Sequence, residues 1–182
     1  NQKNTEFTFS ANAYFDSWSL IYPVELRSNR YNSATYNPSF TEFSSSARNS
    51  YSVGILIAQI LGENLQGSIS LDLVLQDGLL STPFQRVYFT DQVDNFVENF
   101  HLADDIERLP STRFTFATGT RLNYYVNEYF VIRSFYRFYQ DDWGISSNTA
   151  QIEVPIKLGD SFTLYPSYRY YNQTKADYFA AY

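Results

Sequence analysis

Cysteine and methionine are absent from the 182 residues, histidine occurs once and glycine seven times. Without cysteine there is no disulfide, no thiolate nucleophile and no cysteine-ligated zinc. Charged residues make up 18% of the chain, below the usual quarter of a soluble domain. Lys and Arg number 13 against 19 Asp and Glu, a formal net charge of −6. No basic run exists, so no nucleic-acid partner is expected. No stretch approaches 18 consecutive apolar residues, which excludes a transmembrane helix. A transmembrane β-barrel stays open, because its strands carry only alternate apolar residues. The chain opens on Asn1 with no signal peptide before it, as expected of a processed or partial chain.

What is abundant is aromatic. Tyr 17, Phe 16 and Trp 2 bring the aromatic share to 19%, a composition that argues against intrinsic disorder. These residues fall in period-two patterns, the mark of strands with two unlike faces. Thr5–Phe15 sets Phe7, Phe9, Ala11, Ala13 and Phe15 against Glu6, Thr8, Ser10, Asn12 and Tyr14. Ser17–Arg27 alternates next, with Asp16–Ser17 as the expected tight hairpin. Residues 29–49 read as a loop, and Tyr51–Leu61 as a strand with an apolar middle. Leu65–Leu75 puts Ile69, Leu71, Leu73 and Leu75 opposite Gln66, Ser68, Ser70 and Asp72, and ends at Asp77–Gly78. Pro83–Thr90 is a shorter strand candidate.

Residues 91–110 break the pattern, with six acidic residues against Arg108. The spacing of Val93, Phe96, Val97 and Phe100 predicts one short amphipathic helix, with an acidic irregular loop as the alternative. Alternation then resumes through Thr112–Tyr124, Glu128–Gln140, Ser146–Leu158 and Ser161–Gln173. Pro155 and Pro166 stand inside these last strands, where each removes a ladder donor and predicts a bulge or local irregularity. Ala176–Tyr182 is a weak final strand.

Strand length and face chemistry favour lipid over a soluble sandwich. The segments run to eleven residues or more, against a soluble mode of about five or six, and a tilted membrane-crossing strand needs about 9–11. One face is aromatic or aliphatic. The other carries Arg113, Arg121, Arg133, Arg137, Glu153, Lys157 and Arg169, with Asp72 as a further candidate. Lipid tolerates no open strand edge, so such strands must close. The expected fold is therefore all-β: one antiparallel transmembrane β-barrel domain over residues 1–182, of roughly ten or more strands.

The last third carries a resemblance. Leu109-Pro-Ser-Thr-Arg113, Gly119-Thr-Arg-Leu-Asn-Tyr-Tyr125, Tyr136-Arg-Phe-Tyr-Gln-Asp-Asp-Trp-Gly-Ile145, Ser147-Asn-Thr-Ala150, Tyr168-Arg-Tyr-Tyr-Asn-Gln-Thr174 and Ala176-Asp-Tyr-Phe179, with Pro83-Phe-Gln-Arg-Val-Tyr-Phe89 before them, resemble a domain-of-unknown-function family of Gram-negative outer-membrane β-barrels. The Asp-Asp-Trp-Gly-Ile string followed by Asn-Thr-Ala is the most specific part. The resemblance implies a multi-pass outer-membrane protein and a chain that is part of a larger barrel; it implies no activity. Outer-membrane lipid is the expected partner, with other outer-membrane proteins or surface lipoproteins beside it.

Three features invite a site. Asp141 and Asp142 are adjacent carboxylates able to ligate a cation such as Ca²⁺, but they read better as a tight rim turn with Trp143 as an interfacial anchor. The arginines of the polar faces form either an anion-attracting lumen or an interior filled by Arg–carboxylate and Arg–Tyr contacts, with Glu153 and Asp72 as partners. His101 is the only histidine. No Gly-x-Ser-x-Gly elbow, EF-hand spacing or glycine-rich phosphate loop accompanies it, so no enzyme, metal or cofactor is expected. The expected role is a non-enzymatic structural component of an envelope complex. A channel for small anionic or amphipathic solutes is the alternative, and a secreted β-sandwich binding carbohydrate the third reading.

Overall fold

Alternating side chains set the fold: each long strand presents one apolar and one polar face, and backbone pairing brings like faces together. A computed structural model describes residues 4–20, 46–82, 84–91, 93–97, 100–159 and 161–178. Among these the chain is all-β, without helices. The long strands are β1 (Thr5–Ser17), β2 (Ala47–Ile60), β3 (Leu65–Gly78), β8 (Thr112–Tyr125) and β9 (Val131–Asp141). Shorter ones are β4 (Arg86–Val87), β5 (Asn95–Val97), β6 (Phe100–Leu102), β7 (Asp105–Ile106), β10 (Ser146–Glu153), β11 (Ile156–Lys157), β12 (Thr163–Leu164) and β13 (Ser167–Gln173). Seven form a large antiparallel sheet in the order β1-β2-β3-β8-β9-β10-β13. Among the described residues no closed barrel is formed: β1 and β13 stand at the two ends of the order.

The chain divides into two compact units, residues 1–13, 50–75 and 113–182, and residues 14–49 and 76–112. In the first, register puts every polar side of β8, β9, β10 and β13 on one face. Gly119 pairs with Arg137, Arg137 with Thr149 and Thr149 with Tyr171. One step along, Arg121, Phe135, Gln151 and Arg169 form a row, and next to it Asn123, Arg133, Glu153 and Ser167. The opposite face carries Phe114, Leu122, Tyr124, Ile132, Tyr136, Ile152, Tyr168 and Tyr170, all exposed. It is equally open in β1, where Phe9 is 69% exposed.

Burial is therefore inverted relative to a soluble core. Among the described residues the buried hydrophobics are only Leu79, Ile106, Ala117, Trp143 and Ala176, while the polar Asp141, Ser147 and Thr149 are buried. The large side chains of the apolar face are exposed. A shallow hollow of about 410 Å³ beside Ala11, Val53, Leu73 and Leu75 opens on it.

Three expectations are corrected. The chain makes no hairpin at Asp16–Ser17: β1 runs straight through both residues and pairs with β2. Trp18 N–H then donates to the Ser46 carbonyl at 2.8 Å. Asp-Ser lacks the left-handed pair that a two-residue hairpin favours. Residues 21–27 of the expected second strand lie outside the described residues.

The amphipathic helix over residues 93–100 is replaced by strands. β5 pairs with β6, Phe96 opposite His101, and β4 with β7, Arg86 opposite Ile106. Four apolar residues at helical spacing do not outweigh aromatic stacking across a hairpin. His101 lies between Tyr88 and Phe96, with ring centroids 4.6 and 4.7 Å away.

The irregularity expected at the prolines is present, without a bulge: β10 ends before Pro155 and β13 begins after Pro166. Glu153 opposite Ser167 and Ile156 opposite Leu164 are in one unbroken register. Each proline keeps its acceptor: Val131 N–H reaches the Pro155 carbonyl at 3.3 Å, and Val154 N–H the Pro166 carbonyl at 3.0 Å. Each loses only the donor.

The final strand expected from Ala176 is a turn at Asp177–Tyr178, and its remaining residues lie outside those described. In the second unit, β3 ends where expected. Gly78 has φ +114°, and a Cβ there would run into the Ala47 carbonyl, so the left-handed position requires glycine.

Candidate functional site

Two features stand on the polar face of the first unit, a set of paired arginines and a knot of hydrogen bonds at the β9–β10 turn. The knot is built on Asp141. Its Oδ2 accepts from Arg113 Nε at 3.0 Å, Arg113 Nη2 at 2.5 Å and the Tyr139 hydroxyl at 2.9 Å. Its Oδ1 accepts from the Trp143 and Ile145 backbone N–H groups at 3.0 and 2.9 Å. The Asp141 side chain is fully enclosed, and a carboxylate is tolerated there because each oxygen is satisfied and a guanidinium balances the charge. Asp142 serves the neighbouring strand instead, accepting from Phe114 N–H at 3.0 Å.

Both carboxylates are thus engaged by protein donors. Among the described residues no group of three His, Asp or Glu is placed to hold a metal ion. Trp143 is the residue expected as an interfacial anchor. It is buried, 8% exposed, lies under the Arg113 guanidinium at 4.7 Å, and meets Tyr178 edge to face at 5.9 Å. A ring enclosed in this way presents little surface to lipid headgroups. Each of these contacts joins residues distant in the chain, so no local pattern announces it.

The turn is held from a second side. Ser146 N–H donates to Thr174 Oγ1 at 2.8 Å, Thr174 Oγ1 donates to the Gly144 carbonyl at 3.0 Å, and Asp177 N–H reaches the Trp143 carbonyl at 2.9 Å. Gly144 has φ +83°, and a Cβ there would collide with the Asp177 carboxylate. Four of the strings that carry the resemblance meet here, through Arg113, the Asp141–Gly144 turn, Thr174 and Asp177–Tyr178.

The other arginines are distributed along the same face. Arg133 pairs with Glu153 at 2.9 Å, and Arg137 lies 3.6 Å from Asp72. Arg121 stacks over Phe135 at 5.5 Å, and Arg169 stands opposite Gln151. Lys157 follows Ile156, whose bridge to Phe130 keeps the register and puts Lys157 on the charged face. All the named residues of the expected polar set therefore share one face. Three of the arginines have a carboxylate partner, while Arg121 and Arg169 have none among the described residues.

No curated protein and no solved structure matches this chain. A family model described as a protein of unknown function, DUF3570, matches residues 1–182, and the chain belongs to that family.

Proposed function

We propose that the chain forms part of a multi-pass transmembrane β-barrel of the Gram-negative outer membrane and serves there as a non-enzymatic structural component of an envelope protein complex. The observation that carries this reading is the inverted burial of the sheet: Phe, Tyr and Ile exposed on one face, paired charges on the other. Apolar side chains gain nothing from contact with water, whereas lipid is their natural solvent, and charges are stable facing a lumen. β1, β2, β3, β8 and β9 run 11 to 14 residues, enough to cross a bilayer at a tilt. The ion pairs of Arg113, Arg133 and Arg137 favour a filled interior over an open anion channel. A soluble sandwich would bury the Phe and Ile faces between two sheets.

The test uses the absence of native cysteine. Single cysteines at Ile152 and Gln151, neighbours on opposite faces, are introduced into the protein expressed in a Gram-negative host. Membrane fractionation should recover both variants with the outer membrane. A bilayer-partitioning maleimide should label Ile152→Cys, and a water-soluble one Gln151→Cys. Recovery from the soluble extract, or identical labelling at both sites, would overturn the membrane reading. Isolation as a lone monomer after mild detergent extraction would overturn the complex reading and leave placement intact.

A further inference from the structure

We infer that the polar face carries a binding site for a small hydroxylated anion, of the sugar-phosphate or sugar-acid class, between β8, β9 and β10. The site is a cavity of about 450 Å³ lined by Arg121, Asn123, Arg133, Phe135, Gln151 and Glu153, a size that suits a small solute. Three observations point to the ligand.

The first is charge. Arg121, Arg133 and Arg169 face a single carboxylate in these two rows, that of Glu153, and Glu153 is engaged by Arg133. Arg121 and Arg169 are left over, an excess of positive charge on a chain whose net charge is −6. Guanidinium groups recognise phosphate and carboxylate through paired, charge-assisted hydrogen bonds.

The second is position. Arg121 and Arg169 end one cross-strand row, with Phe135 and Gln151 between them. Three inter-strand steps separate their backbones by about 14 Å; Arg121 lines the cavity, and Arg169 stands at the far end of the row, outside the lining. Arg121 is already laid over the Phe135 ring, a contact that restrains its guanidinium.

The third is an unmet acceptor. Asn123 Oδ1 is buried at the cavity and has no hydrogen-bond partner. A buried carbonyl oxygen of this kind calls for a donor. A bare anion supplies none, whereas a hydroxylated anion supplies both the charge for Arg121 and the hydroxyl for Asn123.

The proposal rests on the geometry of the polar face and not on membrane placement, so it is tested on the purified full-length chain in whichever medium keeps it folded. Calorimetric titration compares glucose 6-phosphate, inorganic phosphate and glucose. Glucose 6-phosphate should bind saturably, phosphate more weakly and glucose not at all, and the binding should weaken as salt is raised. Arg121→Gln should weaken it about tenfold or more, and Arg169→Gln, an exposed position, should weaken it in the same direction without risk to folding. Asn123→Leu should erase the preference for the sugar phosphate over phosphate. Lys157→Gln, a cation of the same face outside the Arg121–Arg169 row, should change affinity less than twofold. Absence of saturable binding by the folded wild-type chain would overturn the site. Equal weakening by Arg169→Gln and Lys157→Gln would overturn it too, because diffuse attraction then accounts for the binding.

Discussion

Asp141 and Arg113 join the end of β9 to the start of β8 through two hydrogen bonds to one carboxylate oxygen, 3.0 and 2.5 Å long. The carboxylate is shut off from solvent, and the guanidinium is one-quarter exposed. Removing one partner from such a pair costs far more than the pair contributes, because the survivor stays desolvated and alone. Asp141→Asn keeps acceptors for the Trp143 and Ile145 N–H groups but strands Arg113. A loss of about 3 kcal/mol is expected in denaturant unfolding, and Asp141→Ala should lose about 1 kcal/mol more with those two hydrogen bonds.

Gly144 is expected to resist substitution for two separable reasons. Gly144→Ala meets both the left-handed backbone, φ +83°, and the Asp177 carboxylate. A destabilisation of about 1 kcal/mol or more is expected from the backbone alone. Adding Asp177→Gly should recover the steric part and leave the backbone part. Full recovery in unfolding measurements would show that the φ angle carries no cost.

Ile152 distinguishes lipid from water in a single substitution. It is 45% exposed on the apolar face. In a bilayer, Ile152→Arg is expected to cost about 2–4 kcal/mol if the site lies near the midplane. On a water-facing surface the same change stays within about 0.5 kcal/mol. Unfolding from lipid vesicles reads the difference directly.

The Arg133–Glu153 pair is half open to solvent, with side chains 50% and 27% exposed, so its contribution is expected to be small, under about 1 kcal/mol. Arg133→Glu should destabilise by that order, and the reversed pair, Arg133→Glu with Glu153→Arg, should restore it. A double-mutant cycle gives the coupling. A coupling several times larger would mean a much drier environment than the exposures imply.

Face membership was legible before the structure, because it is local. A strand side chain alternates whatever its neighbour does, so Arg133 and Arg137 had to share a side, as did Ile152 and Ile156. The Asp77–Gly78 strand end was legible too, since only glycine fits the φ found there. The helix expected near Phe96 failed because a short 3-and-4 spacing is compatible with a two-stranded hairpin, and cross-strand stacking on His101 is not written in any local period.

Local side-chain chemistry suffices to specify long two-faced strands, apolar on one side and charged on the other. The assembled sheet set which strand lies beside which, and hence that β1 passes through Asp16–Ser17 to pair with β2. It also decided that the polar sides of β8, β9, β10 and β13 fall in phase, and that Asp141 gathers Arg113, Tyr139 and Trp143. The difference is one of range: alternation is a property of one backbone, whereas register and ion pairing are set by contacts between residues far apart in the chain.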